Sequence, residues 1–287
     1  MFHKPIGAFR RKVDYKYVIH YKNYVKPKDL EEAFALNAGK SAVIAGGFCF
    51  LRLQQKNIGT LLDLKELLSD QIEETGDGFR IGAMVSLRQI ELHEGLNRYT
   101  AGAAADCTRH IVGTQFRNCA TVGGSIFGRF GFSDLLTCFL VMDSWVELYK
   151  GGQVPLAEFA EMKPDGDIMT ALLIKKTGMN MAYEMMRNEA VDFPVLSAAA
   201  AEDGAGNTRI AVGARPSRAG LVTWEGQLSA LDAKERQEQA ARLADTFNYG
   251  SNMRGSAEYR RYLAGVLLDR AAARIAAQKM NREEKTR

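Results

Sequence analysis

The 287-residue chain predicts an α+β protein, on three observations. It opens as helix, strand, glycine turn and further strand. It carries a glycine-rich, otherwise apolar segment between Arg117 and Asp134, and it closes on strand-like runs followed by two helices. The polar stretch Lys163-Pro164-Asp165-Gly166-Asp167 divides a first part, residues 1–165, from a last unit over residues 170–287.

The elements come in order. Lys26 to Leu36 puts Pro27 before an acidic first turn and apolar residues at helical spacing, which predicts a short amphipathic helix stopped by Asn37-Ala38-Gly39. Ser41 to Ala45 is a brief apolar run ending on Gly46-Gly47, the pattern of a buried strand entering a tight turn. A second strand is expected at Thr60 to Leu64, and a hairpin across Gly76-Asp77-Gly78 into Phe79 to Ala83. Ser86 caps a helix through about His93, and another helix is expected from Thr100 to His110, where Ala101, Ala103, Ala104 and Ala105 allow close packing. Leu135 to Met142 forms a helix or buried run. The last unit offers strands at Ala171–Lys175, Met181–Met186 and Arg209–Gly213, then two helices. The final helix, Ser256 to Lys279, sets Leu263, Val266, Leu267, Ala271 and Ile275 on one face.

Composition excludes several functions. With 46% hydrophobic and 25% charged residues the chain has the balance of a folded globular protein. The net charge of +4 is too small an excess to imply nucleic acid, and the cluster Lys4, Arg10, Arg11, Lys12, Lys16, Lys22, Lys26 and Lys28 reads as a solvated arm or a subunit-docking surface. No stretch approaches the length of a membrane span and no export signal is visible, so a cytoplasmic protein is expected. Cys49, Cys107, Cys119 and Cys138 show no Cys-x-x-Cys pair and no zinc-spaced His, so this chain alone is not expected to hold a metal or an iron–sulfur cluster.

Three tempting motifs fail. Gly39-Lys40-Ser41 ends like a phosphate loop, yet the first glycine of that pattern falls on Phe34. His93-Glu94 begins a zinc-protease pattern whose second histidine position is Asn97, and Asp165-Gly166-Asp167 is a turn without the rest of a calcium loop. Gly46-Gly47 and Gly123-Gly124 each come after a short apolar run, and a turn without Cβ atoms lets backbone N–H groups approach an anion. Either pair alone is equally a tight turn or a close backbone crossing, and neither is a Rossmann fingerprint.

Taken together these segments resemble a known family. Val43 to Gly47, Thr60 to Leu64, Ile81-Gly82-Ala83 with Ser86-Leu87, and above all Gln115 to Ile126 with Ser133 to Leu136, resemble the FAD-binding subunit of molybdenum hydroxylases, the xanthine dehydrogenase family. The last unit resembles that family's flavoprotein C-terminal domain in Arg187, Asp192-Phe193-Pro194, Ala214 to Ala219 and Ser256 to Arg261. The resemblance covers roughly residues 24 to 275, and Arg117-Asn118-Cys119-Ala120-Thr121-Val122-Gly123-Gly124 is its most specific element. It implies a two-subdomain FAD-binding domain of the vanillyl-alcohol-oxidase-like type, split near residue 57, followed by the smaller sheet-and-helix domain.

The resemblance also implies roles. Ile44 lies beside the Ala45, Gly46, Gly47, Phe48, Cys49 and Phe50 turn, which would wrap the FAD pyrophosphate with backbone amides. Thr121, Gly123, Gly124 and Ser125 would make a second clasp, Asp134 would accept from the adenosine sugar, and Ile111 would lie near the flavin. The partners implied are a 2Fe–2S subunit and a molybdopterin-binding large subunit, with electrons passing through FAD to NAD or another acceptor. The complex's substrate would be recognised on the molybdenum subunit. A stand-alone flavoenzyme and a flavin-free scaffold are the competing classes. The chain departs from the family where a hydroxyl or amide residue and a polar one usually come after the first Gly-Gly, here Phe48-Cys49. It departs again at Glu184, where a lysine is common, and at Arg129-Phe130-Gly131-Phe132, where small residues are usual.

Overall fold

A computed structural model of the chain describes residues 19–39, 42–54 and 57–286. The basic residues from Lys4 to Lys16, and Lys40-Ser41, lie outside the described residues. Three sheets succeed one another along the chain.

The first is a parallel three-stranded sheet, order β1-β3-β2, from β1 (His20–Val25), β2 (Ala42–Ala45) and β3 (Asn57–Asp63). Helix α1 (Leu30–Asn37) joins β1 to β2; its N-cap Asp29 accepts from the Glu32 amide at 2.8 Å. Parallel neighbours need such a crossover, which is why the helix stands between them.

The second sheet is antiparallel, order β4-β5-β8-β6-β7: β4 (Ile72–Glu74), β5 (Gly78–Gly82), β6 (Ser144–Leu148), β7 (Gly152–Pro155) and β8 (Met169–Lys175). The 76–78 hairpin forms as expected. The strand over 169–175, by contrast, is the centre of this sheet, paired with β5 on one side and β6 on the other, so a last unit beginning at 170 is corrected to one beginning after it. The run Met-Thr-Ala-Leu-Leu-Ile is apolar on both faces, as a central strand buried by its neighbours requires, and the polar turn before it only returns the chain into the same sheet. In that turn Asp167 is structural: its carboxylate accepts from the amides of Lys150, Gly151 and Ile168.

Between β5 and β6 lies a helical layer. α2 (Leu87–Leu92) carries a complete capping box of Ser86 and Gln89. The helix expected over 100–110 forms as α4 (Ala103–Arg109), and a separate α3 (Glu94–Tyr99) precedes it; Ala101 and Gly102 between them both adopt left-handed backbone, φ +50° and +86°. The glycine-rich segment is itself largely helical, forming α5 (Thr114–Cys119) and α6 (Val122–Phe127), and α7 (Asp134–Leu140) comes next with every residue buried. α8 (Leu156–Glu161) lies between β7 and β8.

The last sheet is antiparallel, order β12-β11-β10-β9: β9 (Asn180–Arg187), β10 (Pro194–Glu202), β11 (Asn207–Gly213) and β12 (Gly220–Glu225). α9 (Ala233–Ala244) and the long α10 (Ala257–Thr286) cover one face; of the face the sequence periodicity predicts, Leu263, Leu267, Ala271 and Ile275 are buried and Val266 is half-buried. α7 packs against β10 and β11, so the first part and the last unit share a buried seam at α7.

Candidate functional site

The segments that carry the two glycine pairs, 77 residues apart by sequence number, meet in space. A Cβ on Gly46 would stand 3.1 Å from the Thr121 hydroxyl, and a Cβ on Gly47 would overlap the carbonyl of Cys119. Gly47 is therefore glycine because another backbone crosses it. Beside this crossing opens a cleft of about 670 Å³, walled by Gly47, Phe48, Cys49 and Arg52 on one side and by Val112 to Phe116 and Cys119 on the other.

The hydrogen-bond state of the two glycine segments differs completely. After β2 ends at Ala45, the N–H groups of Gly47, Phe48, Cys49 and Phe50 find no protein acceptor among the described residues. Phe48 turns the chain through left-handed backbone, φ +59°, with its ring 37% exposed. Successive amides around such a residue form a concave row of donors, the geometry that takes an anionic oxygen. In the second segment the donors are used: Val122 N–H bonds the Val85 carbonyl, Gly123 the Ala83 carbonyl, Gly124 the Thr121 hydroxyl and Ser125 the Thr121 carbonyl. The Ser125 hydroxyl also donates to the Thr121 carbonyl, at 2.9 Å. The amides of Val122 and Gly123 thus dock α6 on the β5–α2 connection, and those of Gly124 and Ser125 close the first turn of α6 on Thr121. What this segment still turns toward Gly46 is the Thr121 hydroxyl.

Asp134, expected as a sugar acceptor, is 3% exposed with both oxygens held: Tyr183 donates to one, and Arg187 pairs with the other at 2.6 Å. Burial pushes its carboxyl above the ordinary aspartate value, against the pull of Arg187 and Tyr183. A sugar could reach it only as an additional partner of an oxygen already bonded. These two bonds join α7 to β9. Ile44 is half-buried on β2 and packs on the core; Ala45 is buried with Ile58 and Leu61. Ile111 is half-buried beside the cleft wall, and its carbonyl accepts from Arg117 at 3.2 Å.

Arg117 shapes that wall. Its guanidinium is buried, bonds Glu91 at 2.7 Å and reaches both the Ile111 carbonyl and the Thr114 hydroxyl, so α5 and the 111–113 turn are fixed to α2. The first turn of α5, beside the cleft, has no side-chain cap. Sequence reasoning quoted Arg117 for its motif yet missed Arg52 and Val112 to Thr114; only their positions in space reveal them.

The aromatic residues sort differently from one another. Phe50 packs on Phe130 at 4.6 Å between ring centres, Phe130 stacks on Phe132 at 5.2 Å, and Phe132 meets Phe193 edge-on at 4.6 Å. This chain of rings ties the open turn to the last unit. Arg129 has left-handed backbone and points away from the cleft, its guanidinium 3.8 Å over Phe159 with one amino nitrogen unpartnered. Glu184 is balanced by Arg274, which also pairs with Asp106, in the floor of a separate hollow of about 270 Å³ beside His110. Burial and the cations Arg187 and Arg109 lower the His110 pKa.

Among the described residues no three His, Cys, Asp or Glu side chains converge as a metal site, and no helix is long and apolar enough to cross a membrane. Residues 16–177 match the model of the FAD binding domain in molybdopterin dehydrogenase. The chain is 26% identical to the carbon monoxide dehydrogenase medium chain of Afipia carboxidovorans, covering 90% of this chain and 98% of the relative. It is 27% identical to the nicotine 6-hydroxylase medium subunit of Paenarthrobacter nicotinovorans, covering 89% and 97%. In fold it is similar to a crystal structure of Cu,Mo-CO dehydrogenase, with a TM-score of 0.77 at 24% identity over 90% of this chain and 98% of that one.

Proposed function

The chain belongs to the FAD-binding-domain family of molybdopterin dehydrogenases, and from that premise we propose that it is the FAD-carrying medium subunit of a molybdenum hydroxylase complex. It is an oxidoreductase component and its cofactor is FAD. The observation that carries the reading is the row of amides at Gly47 to Phe50, without a protein acceptor among the described residues, beside the cleft and next to the Thr121 hydroxyl.

These residues fit a dinucleotide's diphosphate. Four successive N–H groups without a protein acceptor among the described residues and the nearby Arg52 guanidinium offer an anion both donors and charge, and the backbone donors survive whatever side chains stand at 48 and 49. We read Ile44 to Phe50 as the pyrophosphate turn, Thr121 as its hydroxyl partner, and Gly123, Gly124 and Ser125 as the helix start that holds Thr121 in place. Ile111 borders the wall, and Asp134 joins α7 to β9 through Tyr183 and Arg187. Residues up to about 177 form the FAD-binding unit, and the remainder is the flavoprotein C-terminal domain.

Bound FAD supplies one- and two-electron transfer chemistry. The chain's own part is to bind and orient it: the lining contains amides, a guanidinium and two thiols and, among the described residues, no carboxylate or imidazole for acid–base work. That lining suits a relay that receives electrons from 2Fe–2S clusters on one partner and delivers them to NAD or another acceptor. Substrate is oxidised on a molybdopterin-binding large subunit, and the assembly resides in the cytoplasm. The test is the visible flavin absorption of the purified chain through gel filtration, with co-purification of the two partners from the source cells. Flavin bands that stay with the protein support the reading; a colourless chain that cannot be reconstituted with FAD overturns it.

A further inference from the structure

The four cysteines fall into two pairs in space. Cys107 and Cys138 are fully buried; their thiols point at consecutive carbonyls of one helix, Ala104 and Ala103. Cys49 and Cys119 instead line the cleft, one half-buried and one exposed. The sulfur of Cys49 rests 3.3 Å from the Gly47 carbonyl and 3.7 Å from the Phe116 carbonyl. Gly47 is the residue crossed by the Cys119 carbonyl, and Phe116 stands one turn before Cys119 on α5. Both groups that hold the Cys49 sulfur are therefore immediate neighbours of Cys119.

We propose that Cys49 and Cys119 are a reversible thiol–disulfide pair that fastens the open-amide turn to α5 across the cofactor cleft. The oxidant is a low-molecular-weight disulfide such as oxidised glutathione. The Cys119 thiolate, being exposed, attacks one sulfur of that disulfide and displaces one glutathione thiolate. The Cys49 thiolate then attacks the Cys119 sulfur and displaces the second. The protein loses two electrons and two protons, and two molecules of reduced glutathione carry them away. Burial pushes the Cys49 thiol above the ordinary cysteine value, which suits the second, resolving position better than the first. The new bond joins two segments that until then only touch, and the row of donors at 47 to 50 lies on one of them.

The consequence for the cofactor rests on the FAD reading above; the crosslink does not. The full-length protein is treated with oxidised glutathione, free thiols are counted, and unreduced peptides are mapped by mass spectrometry. FAD uptake is monitored before treatment, after it, and after dithiothreitol. The expected result is the loss of two thiols, a peptide joining Cys49 to Cys119, and FAD uptake slowed roughly tenfold until the bond is reduced, as gating of a binding cleft predicts. In Cys49→Ser and Cys119→Ser the linked peptide is missing and the oxidant no longer slows uptake. A glutathione adduct left on Cys119 without the linked peptide, modification of Cys107 or Cys138 in its place, or a crosslink with unaltered uptake each overturns the proposal. Reduced protein that never takes up FAD defeats the cofactor reading, and the peptide map then decides the pair by itself.

Discussion

At Gly46-Gly47 the chain leaves a strand at the edge of a cleft with its next amides unbonded among the described residues; at Gly123-Gly124 it enters a helix with every amide from Val122 to Ser125 taken. The local recipe is the same, an apolar run ending on two glycines, yet one segment is equipped to bind and the other to hold its neighbour still. The difference lies in the residues flanking each pair. Phe48, after the first, takes left-handed backbone and turns the donors outward, whereas Thr121, before the second, caps α6 and folds the donors inward. A glycine pair is therefore no evidence of a ligand site until its hydrogen-bond partners are known.

The largest expected effect falls on the closed side. Asp134→Ala leaves the Arg187 guanidinium buried without its carboxylate, a change of about 3–5 kcal/mol in stability for a broken buried pair. Chemical denaturation should show it whether FAD is present or not. If Asp134→Ala spares stability and abolishes FAD binding, Asp134 belongs to the ligand side of the comparison.

Next comes Gly47→Ala. The new methyl collides with the Cys119 carbonyl, so one of the two backbones must shift, and about 1–3 kcal/mol is expected for such overpacking. Because the shift moves the donor row itself, FAD affinity should fall along with the melting temperature. Gly124→Ala is the matched control: its methyl meets only the Thr121 hydroxyl at 3.2 Å, and a small effect on both measurements is expected.

Thr121→Val tests whether the closed segment also contributes to binding. Loss of the cap on the Gly124 amide should lower stability by about 1 kcal/mol. The isosteric valine keeps the packing against Gly46, so any further drop in FAD affinity measures the hydroxyl alone. Arg52→Ala, on the open side, should weaken FAD several-fold at low salt and much less at high salt, as expected of an exposed cation near an anion. Titrations at two ionic strengths check it.

Much of the fold was legible in the residues. Strand β3, the 76–78 hairpin, the Ser86 cap and the apolar face of α10 carry their own periodicity and capping chemistry. β10 does not: Pro194-Val-Leu-Ser-Ala-Ala-Ala-Ala-Glu202 is alanine-rich, a composition that favours helix, and it is a strand because α10 on one face and α7 on the other bury all nine residues. The same tertiary override turned the glycine-rich stretch into α5 and α6 and drew the strand at 169–175 into the middle sheet. At the site, the turn at 45–50 was legible from its glycines. Arg52 and the 112–114 part of the wall were not, because no local pattern announces which surface a turn will face.

The smallest effect concerns the brace under that wall. Burial raises the Glu91 carboxyl, but hydrogen bonds from Arg88 and Arg117 outweigh it and hold the group below the ordinary glutamate value of 4.5. A carboxylate whose folded pKa lies below its unfolded one contributes stability that is fully present above the unfolded value and is lost as pH falls through the folded one. The Glu91–Arg117 contribution should therefore be intact at neutral pH and fade below about pH 4.5. Glu91→Gln removes the titrating group, so its melting temperature should sit slightly below that of the parent at pH 7 and converge on it as pH falls through the lowered folded-state value. Since Arg117 also carries the Ile111 carbonyl and Thr114, FAD affinity should show the same convergence, in proportion to how far α5 depends on this brace. A pH-independent gap between the two proteins would mean that α5 is held by packing alone, and that the open side of the cleft owes nothing to the charge beneath it.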